Sequence, residues 1–243
     1  MREIFVTEDT SSHGVTDAAR GRAIPITEVS DHVMATLSDT STPQGLIAVV
    51  ERTVAPLESL RTADLVLVLA GVADPGNAGA LIRSALAAGV SGVVVTAGSV
   101  DPFGPKTVRA SAGALFRMPV VCGPAAPETL AELSNLGLTV IVAEAGAAPV
   151  DEADLTRRVA IVVGNEARGL DPEARGAADE LVGVAMPGPV ESLNVSIAGS
   201  IVLFETVRQR RAAARVDQTP AASPRLSSPD RSDDEPERRR GAR

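Results

Sequence analysis

The sequence predicts an α/β domain built on a parallel sheet, and three observations carry that expectation. Five short runs rich in Val, Ile and Leu recur within residues 62–208: LVLVLAG (65–71), GVVVTAG (92–98), LTVIVAE (138–144), AIVVG (160–164) and LVGVAM (181–186). They do not alternate apolar with polar residues, which suits strands buried on both faces. Helical stretches separate them: Asn77 to Ala88, Ala126 to Asn135, Pro172 to Ala178, and Ser192 to about Arg210. That order implies one sheet with right-handed crossovers. Ligands of such sheets bind beyond the carboxyl ends of the strands, here the loops 71–77, 96–104, 164–171 and 185–191.

Composition narrows the class. The longest apolar runs, such as Leu65 to Val72, are far too short to span a membrane. Residues 1–15 carry no apolar core flanked by cations, so no secretory signal is visible. A lone Cys122 cannot form an internal disulfide, and a cytoplasmic location is expected. With four Phe and no Tyr or Trp, aromatic stacking platforms for single-stranded nucleic acid are scarce. The net charge of −8 divides unevenly, −12 over residues 1–207 and +4 over 208–243. An acidic body does not attract phosphate at long range, but it leaves room for a local patch of arginines.

In chain order, residues 1–53 read as strand (REIFVTE), strand (AIPITEV), short helix (SDHVMATLSD) and strand (GLIAVVE). That is too little to form a comfortable domain alone. A linker is expected at 54–61 around Pro56, then the main domain at 62–211. From Ala212 the chain is rich in Pro, Ser, Asp, Glu and Arg. A disordered tail is expected there, with Arg238, Arg239 and Arg240 solvated rather than bound to RNA.

Three motifs sit at strand ends. In GVADPGNAGALIRSALAAG (71–89), Asn77 is expected to cap a helix whose small residues imply close approach by another backbone. Arg83 lies four residues after Gly79 and is expected to lean back over the space that glycine leaves, toward the loop mouth. A plain surface arginine is the other reading. The segment does not fit the dinucleotide-binding glycine pattern. In AIVVGNEARGLDP (160–172), Gly164 and Gly169 allow backbone groups to approach a ligand, and Asp171-Pro172 starts a helix. Glu166 could accept hydrogen bonds from a cationic or amino-bearing ligand, or simply be solvated. In VAMPGPVESLNVSIAGSIVLFETV (184–207), Ser192 is expected to cap a helix apolar nearly all round. Asn194 and Ser196 need partners if buried.

These segments, in this order, closely resemble the SpoU (TrmH-type) RNA ribose 2′-O-methyltransferases of the SPOUT superfamily. The family's first motif matches Asn77, Gly79 and Arg83; the second matches Gly164, Glu166 and Gly169; the third matches Met186, Pro187 and Ser192-Leu193-Asn194-Val195-Ser196. RASAGALFRMPV (109–120) is similar to the connecting segment, so the likeness runs from about 60 to 211. It implies a C-terminal trefoil knot, a homodimer, and bent S-adenosylmethionine held by Gly164, Asn165, Val184, Met186 and Leu193. It implies Arg83, Asn77, Glu166, Ser192 and Asn194 as the catalytic set. Arginine is a poor base because it stays protonated, so Arg83 is expected to orient phosphate and stabilise the alkoxide. Residues 1–53 look like the later part of an L30e-like RNA-binding module, its first strand and helix missing, with a start codon further upstream as one explanation. Lys106, Arg109, Arg117 and Arg168 are candidate RNA contacts, no metal is expected, and His13 and His32 fall outside the site.

The resemblance points to ribosomal RNA, most readily 23S, with transfer RNA as the close variant. A non-catalytic RNA-binding or assembly factor of the same fold is a second class. An unrelated nucleotide-binding α/β enzyme is a third. The target nucleotide, and housekeeping against antibiotic resistance, stay open.

Overall fold

The computed structural model describes residues 1–10 and 14–217. The first unit holds β1 (Glu3–Val6), α1 (Gly14–Arg20), β2 (Ile26–Glu28), α2 (Asp31–Leu37) and β3 (Leu46–Val49). Its sheet has the order β2-β1-β3, with β1 parallel to β2 and antiparallel to β3. The sequence reading lacks α1, a seven-residue helix that buries only Thr16 and Ala19 and so leaves a weak apolar signal.

The main unit follows with β4 (Leu65–Leu69), α3 (Pro75–Ala87), β5 (Gly92–Val95), α4 (Pro105–Ala110), β6 (Val120–Cys122) and α5 (Ala126–Asn135). It continues with β7 (Thr139–Pro149), β8 (Val159–Val163), α6 (Pro172–Gly176), β9 (Glu180–Gly183) and α7 (Val195–Asp217). Six strands form a sheet in the order β6-β5-β4-β8-β7-β9, and every pairing is parallel. The five predicted strands are present, and a sixth, β6, is a three-residue edge too short to leave a pattern.

Residue parity decides which core each side chain enters. Leu65, Leu67, Leu69, Val159 and Ile161 face a core shared with α3 and α7. Val66, Val68, Ala160 and Val162 face a second core under α5. Every residue of β4, β5 and β8 is buried, the physical reason these strands read as unbroken apolar runs.

The stretch expected as a linker is packed down. The Ala55 N–H donates to Val120 O at 2.9 Å, and Leu60 is buried in the second core. Helix α7 runs to Asp217, past the expected tail boundary at Ala212. The rest of that tail, with Arg238, Arg239 and Arg240, lies outside the described residues, as does His13. Among the described residues no helix is long and apolar enough to cross a membrane.

Candidate functional site

A cavity of about 270 Å³ opens beyond the carboxyl ends of β7, β8 and β9, just below the usual range of about 300–1,000 Å³ for small-molecule sites. Its wall is largely apolar, from Val142, Val182, Val184, Met186 and Leu193 among others. Glu144, Asn165, Glu166 and Ser192 supply its polar side chains. The strand order explains the location. The chain lays β4, β5 and β6 outward in one direction, then returns and inserts β8 between β4 and β7. That insertion brings the loops after β8 and β9 together beside the end of β7.

The loop after β8 folds on itself to make one wall. The Asn165 N–H donates to Gly169 O at 3.0 Å and Gly169 N–H returns to Asn165 O at 2.9 Å. Gly169 has φ +66°, and a Cβ on Gly164 would lie 2.8 Å from the Gly169 carbonyl carbon. Glycine at 164 is therefore a requirement of backbone-on-backbone packing. The Asn165 Nδ2 donates to Gly71 O at 2.9 Å, while its Oδ1 accepts from Ala167 and Arg168 N–H. This ties the β8 loop to the loop after β4.

A second tie joins all three motifs. Glu166 accepts from the N–H groups of Ala73 and Asp74, both at 3.2 Å, and from Asn77 Nδ2 at 3.0 Å. Asn77 Oδ1 accepts from Asn194 Nδ2 at 3.0 Å. Asn194 Oδ1 accepts from the N–H groups of Ser196 and Ile197 at the start of α7. The chain has a forced polarity. A carboxylate only accepts, so Asn77 must turn its NH₂ to Glu166 and its oxygen to Asn194. Asn194 must then donate to Asn77 and offer its oxygen to the helix.

Two expected caps are thereby corrected. Asp74, not Asn77, caps α3, accepting from Asn77 N–H at 2.8 Å with Pro75 in the first turn. The same Asp-Pro pair starts α6 at Asp171-Pro172, as expected, so the signal was present at 74–75 as well. Asn194, not Ser192, caps α7, which begins at Val195. Ser192 instead lines the cavity. Glu166 is occupied by motif-one donors rather than open to a ligand.

Burial pushes the Glu166 carboxyl upward, but the hydrogen bonds from Asn77 and the backbone of Ala73 and Asp74 outweigh it and hold it below its ordinary value. A carboxyl depressed on folding adds stability above the unfolded value of about 4.3, and that stability is lost as pH falls through the folded value. Thermal melting followed by circular dichroism should be flat from about pH 7 to pH 5 and decline below about pH 4. Glu166→Gln should melt lower than wild type at neutral pH and lose part of that acid decline.

Arg83 is exposed on α3 and has no hydrogen-bond or ion-pair partner among the described residues. The expectation that it covers the space at Gly79 is corrected. A Cβ there would lie 2.3 Å from Ala110 Cβ and 2.9 Å from Ser111 N. The gap is filled by the end of α4, so Gly79 serves helix packing. Arg83 does not line the cavity, and neither do Asn77 and Asn194. Lys106, Arg109, Arg117 and Arg168 are all exposed. Lys106 and Arg109 share a groove, Arg109 lies 3.8 Å from Asp39, and Arg168 sits on the β8 loop. Cys122 is exposed, and His32 lies in α2, away from the cavity.

Residues 64–204 match the sequence profile of the SpoU rRNA Methylase family. This chain belongs to that family. Residues 1–53 match the profile described as RNA 2′-O ribose methyltransferase substrate binding. A 23S rRNA (guanosine-2′-O-)-methyltransferase, RlmB, of Xanthomonas axonopodis pv. citri (strain 306) is 43% identical over 150 residues, 61% of this chain and 60% of that protein. The match thus spans less than two thirds of that relative's length. The 23S rRNA (guanosine(2553)-2′-O)-methyltransferase RlmP of Bacillus subtilis (strain 168) is 35% identical over 205 residues, 84% of this chain and 79% of that protein. The AdoMet-bound rRNA methyltransferase of Sinorhizobium meliloti superposes with TM-score 0.74 at 28% identity, covering 85% of this chain and 79% of that one.

Proposed function

We propose that this chain transfers a methyl group from S-adenosylmethionine to a ribose 2′-hydroxyl of 23S ribosomal RNA. One observation carries the reading. The three family motifs are joined by the Glu166–Asn77–Asn194 chain beside a cavity at the strand ends. The residues present fit the cofactor. The cavity has an apolar wall with a few polar groups, and Gly164, Asn165, Val184, Met186 and Leu193 all lie on it. These five would hold the cofactor, which when bound supplies an electrophilic methyl on a sulfonium and needs no metal.

The chain's own residues then divide the work. Glu166, Asn77 and Asn194 act as positioning residues that keep the three loops in register. Ser192, on the cavity wall, faces the cofactor or the incoming ribose. Arg83, exposed and without a hydrogen-bond or ion-pair partner among the described residues, orients an RNA phosphate and stabilises negative charge on the 2′-oxygen as the hydroxyl proton passes to solvent. Residues 1–53 serve as an L30e-like docking module, supported by their substrate-binding profile match. Lys106, Arg109, Arg117 and Arg168 add phosphate contacts. The proposal includes a C-terminal trefoil knot, supported by the insertion of β8 between β4 and β7, and work in the cytoplasm. Relatives named as 23S rRNA enzymes favour ribosomal over transfer RNA.

A homodimer is part of the same reading. Ile197, Ile201 and Phe204 are 53%, 38% and 49% exposed at i, i+4 and i+7 along α7, one apolar face of the helix. A second copy covering it fits the family. Light scattering at micromolar concentration should give the mass of a dimer, and Phe204→Glu should give a monomer with unchanged helix content. The activity test is transfer of labelled methyl to unmodified 23S rRNA and, in parallel, transfer RNA. Label should enter 23S rRNA as a ribose 2′-O-methyl. Cofactor binding with no label in either pool would overturn the reading.

A further inference from the structure

We propose that Glu144 reads the ribose diol of the cofactor; the inference rests on the S-adenosylmethionine reading above. Strand β7 does not run straight past the cavity. Ala143 and Ala148 both register with Val182 of β9, so residues 144–147 leave the ladder as a bulge. Gly146, at φ +80°, turns the bulge back. Bulges commonly re-aim a side chain beside a site, and Glu144, the first residue of this one, lies on the cavity wall.

Its carboxylate is held in place. Arg175 of α6 donates Nε to Oε2 at 2.8 Å and Nη2 to Oε1 at 3.1 Å, a side-on pair. That uses one lone-pair site on each oxygen and leaves further acceptor capacity on both. Of the other polar side chains on the wall, Asn165 and Glu166 are committed to neighbouring loops. Glu144, accepting two hydrogen bonds against three on Glu166, is therefore the wall's carboxylate with more capacity left for a ligand. Two adjacent hydroxyls match a carboxylate that only accepts, just as acidic residues at strand ends take ribose hydroxyls in other parallel sheets.

The test is binding by the full chain, measured calorimetrically. The probes are S-adenosylhomocysteine, its 2′-deoxy and 3′-deoxy forms, and 5′-methylthioadenosine. Wild type should prefer the diol over either deoxy form by about tenfold or more, the worth of hydrogen bonds to a charged group. Glu144→Ala should lose most of that preference and weaken S-adenosylhomocysteine and 5′-methylthioadenosine equally. Arg175→Gln should reduce the preference by freeing the carboxylate, and Glu144→Gln, isosteric, should retain only part of it. An undiminished preference in Glu144→Ala, with cofactor still bound, would overturn the inference and leave the methyltransferase reading intact. A loss confined to S-adenosylhomocysteine would assign Glu144 to the methionyl ammonium and overturn it too. No binding of either nucleoside by wild type would remove both readings together.

Discussion

Arg83→Ala is expected to lower kcat by about 10²–10³-fold, the scale for removing one preorganised donor from developing negative charge. Cofactor affinity should stay within about twofold, because the residue is not on the cavity wall. Folding should be intact, since the side chain is exposed and has no partner among the described residues. Single-turnover methylation and calorimetric cofactor binding together separate the two effects. Arg83→Lys sharpens the test. A point charge keeps general attraction for phosphate but not the planar fork that holds it in one orientation. If fork geometry matters, the lysine variant stays well below wild type. Full activity in Arg83→Ala would move the charge-stabilising role elsewhere.

Asn77→Asp should also be damaging, on cofactor binding rather than turnover and for a different reason. It replaces the amide nitrogen that donates to Glu166 at 3.0 Å with a carboxylate oxygen. Two carboxylates so close cannot both ionise comfortably, so one must take a proton. At pH 8 the Glu166 end of the chain should break, the first and second motifs should part while Asn194 still donates to residue 77, and cofactor affinity should fall about tenfold, the cost of losing a hydrogen bond to a charged group. Protonation restores a donor, so affinity should recover as pH is lowered from about 8 toward 5. Asn77→Ala has no such rescue. The difference between the two pH profiles distinguishes a polarity requirement from simple loss of packing.

Much of this was legible in the chain. Strands buried on both faces leave runs without alternation, and β4, β5 and β8 are of that kind. Asp171-Pro172 announces its helix because a side-chain acceptor and a fixed φ suit a first turn. The errors share a cause. Composition near a helix start points to Asn77 and Ser192 as caps, yet Asp74 and Asn194 hold those positions. Several residues in each loop are competent to cap, and the choice depends on where the helix begins in space. Helical spacing pairs Gly79 with Arg83 on its own helix, but its neighbour is Ala110 on another. Glu144 carried no local signal at all, because a bulge is a mismatch between two strands.

The sequence by itself determined five of the six strands of the main sheet, which loops hold the unusual residues, and the family they belong to. Periodicity, turn residues and short motifs are local properties, and burial on one or two faces writes them directly into the chain. Tertiary structure alone decided that β8 inserts between β4 and β7. It also decided that Asn77 meets Asn194 across 117 positions and that Arg175 holds Glu144. These contacts arise because hydrogen-bond partners are selected by distance and direction after the strands have been ordered, and residue type only limits which atoms can donate or accept.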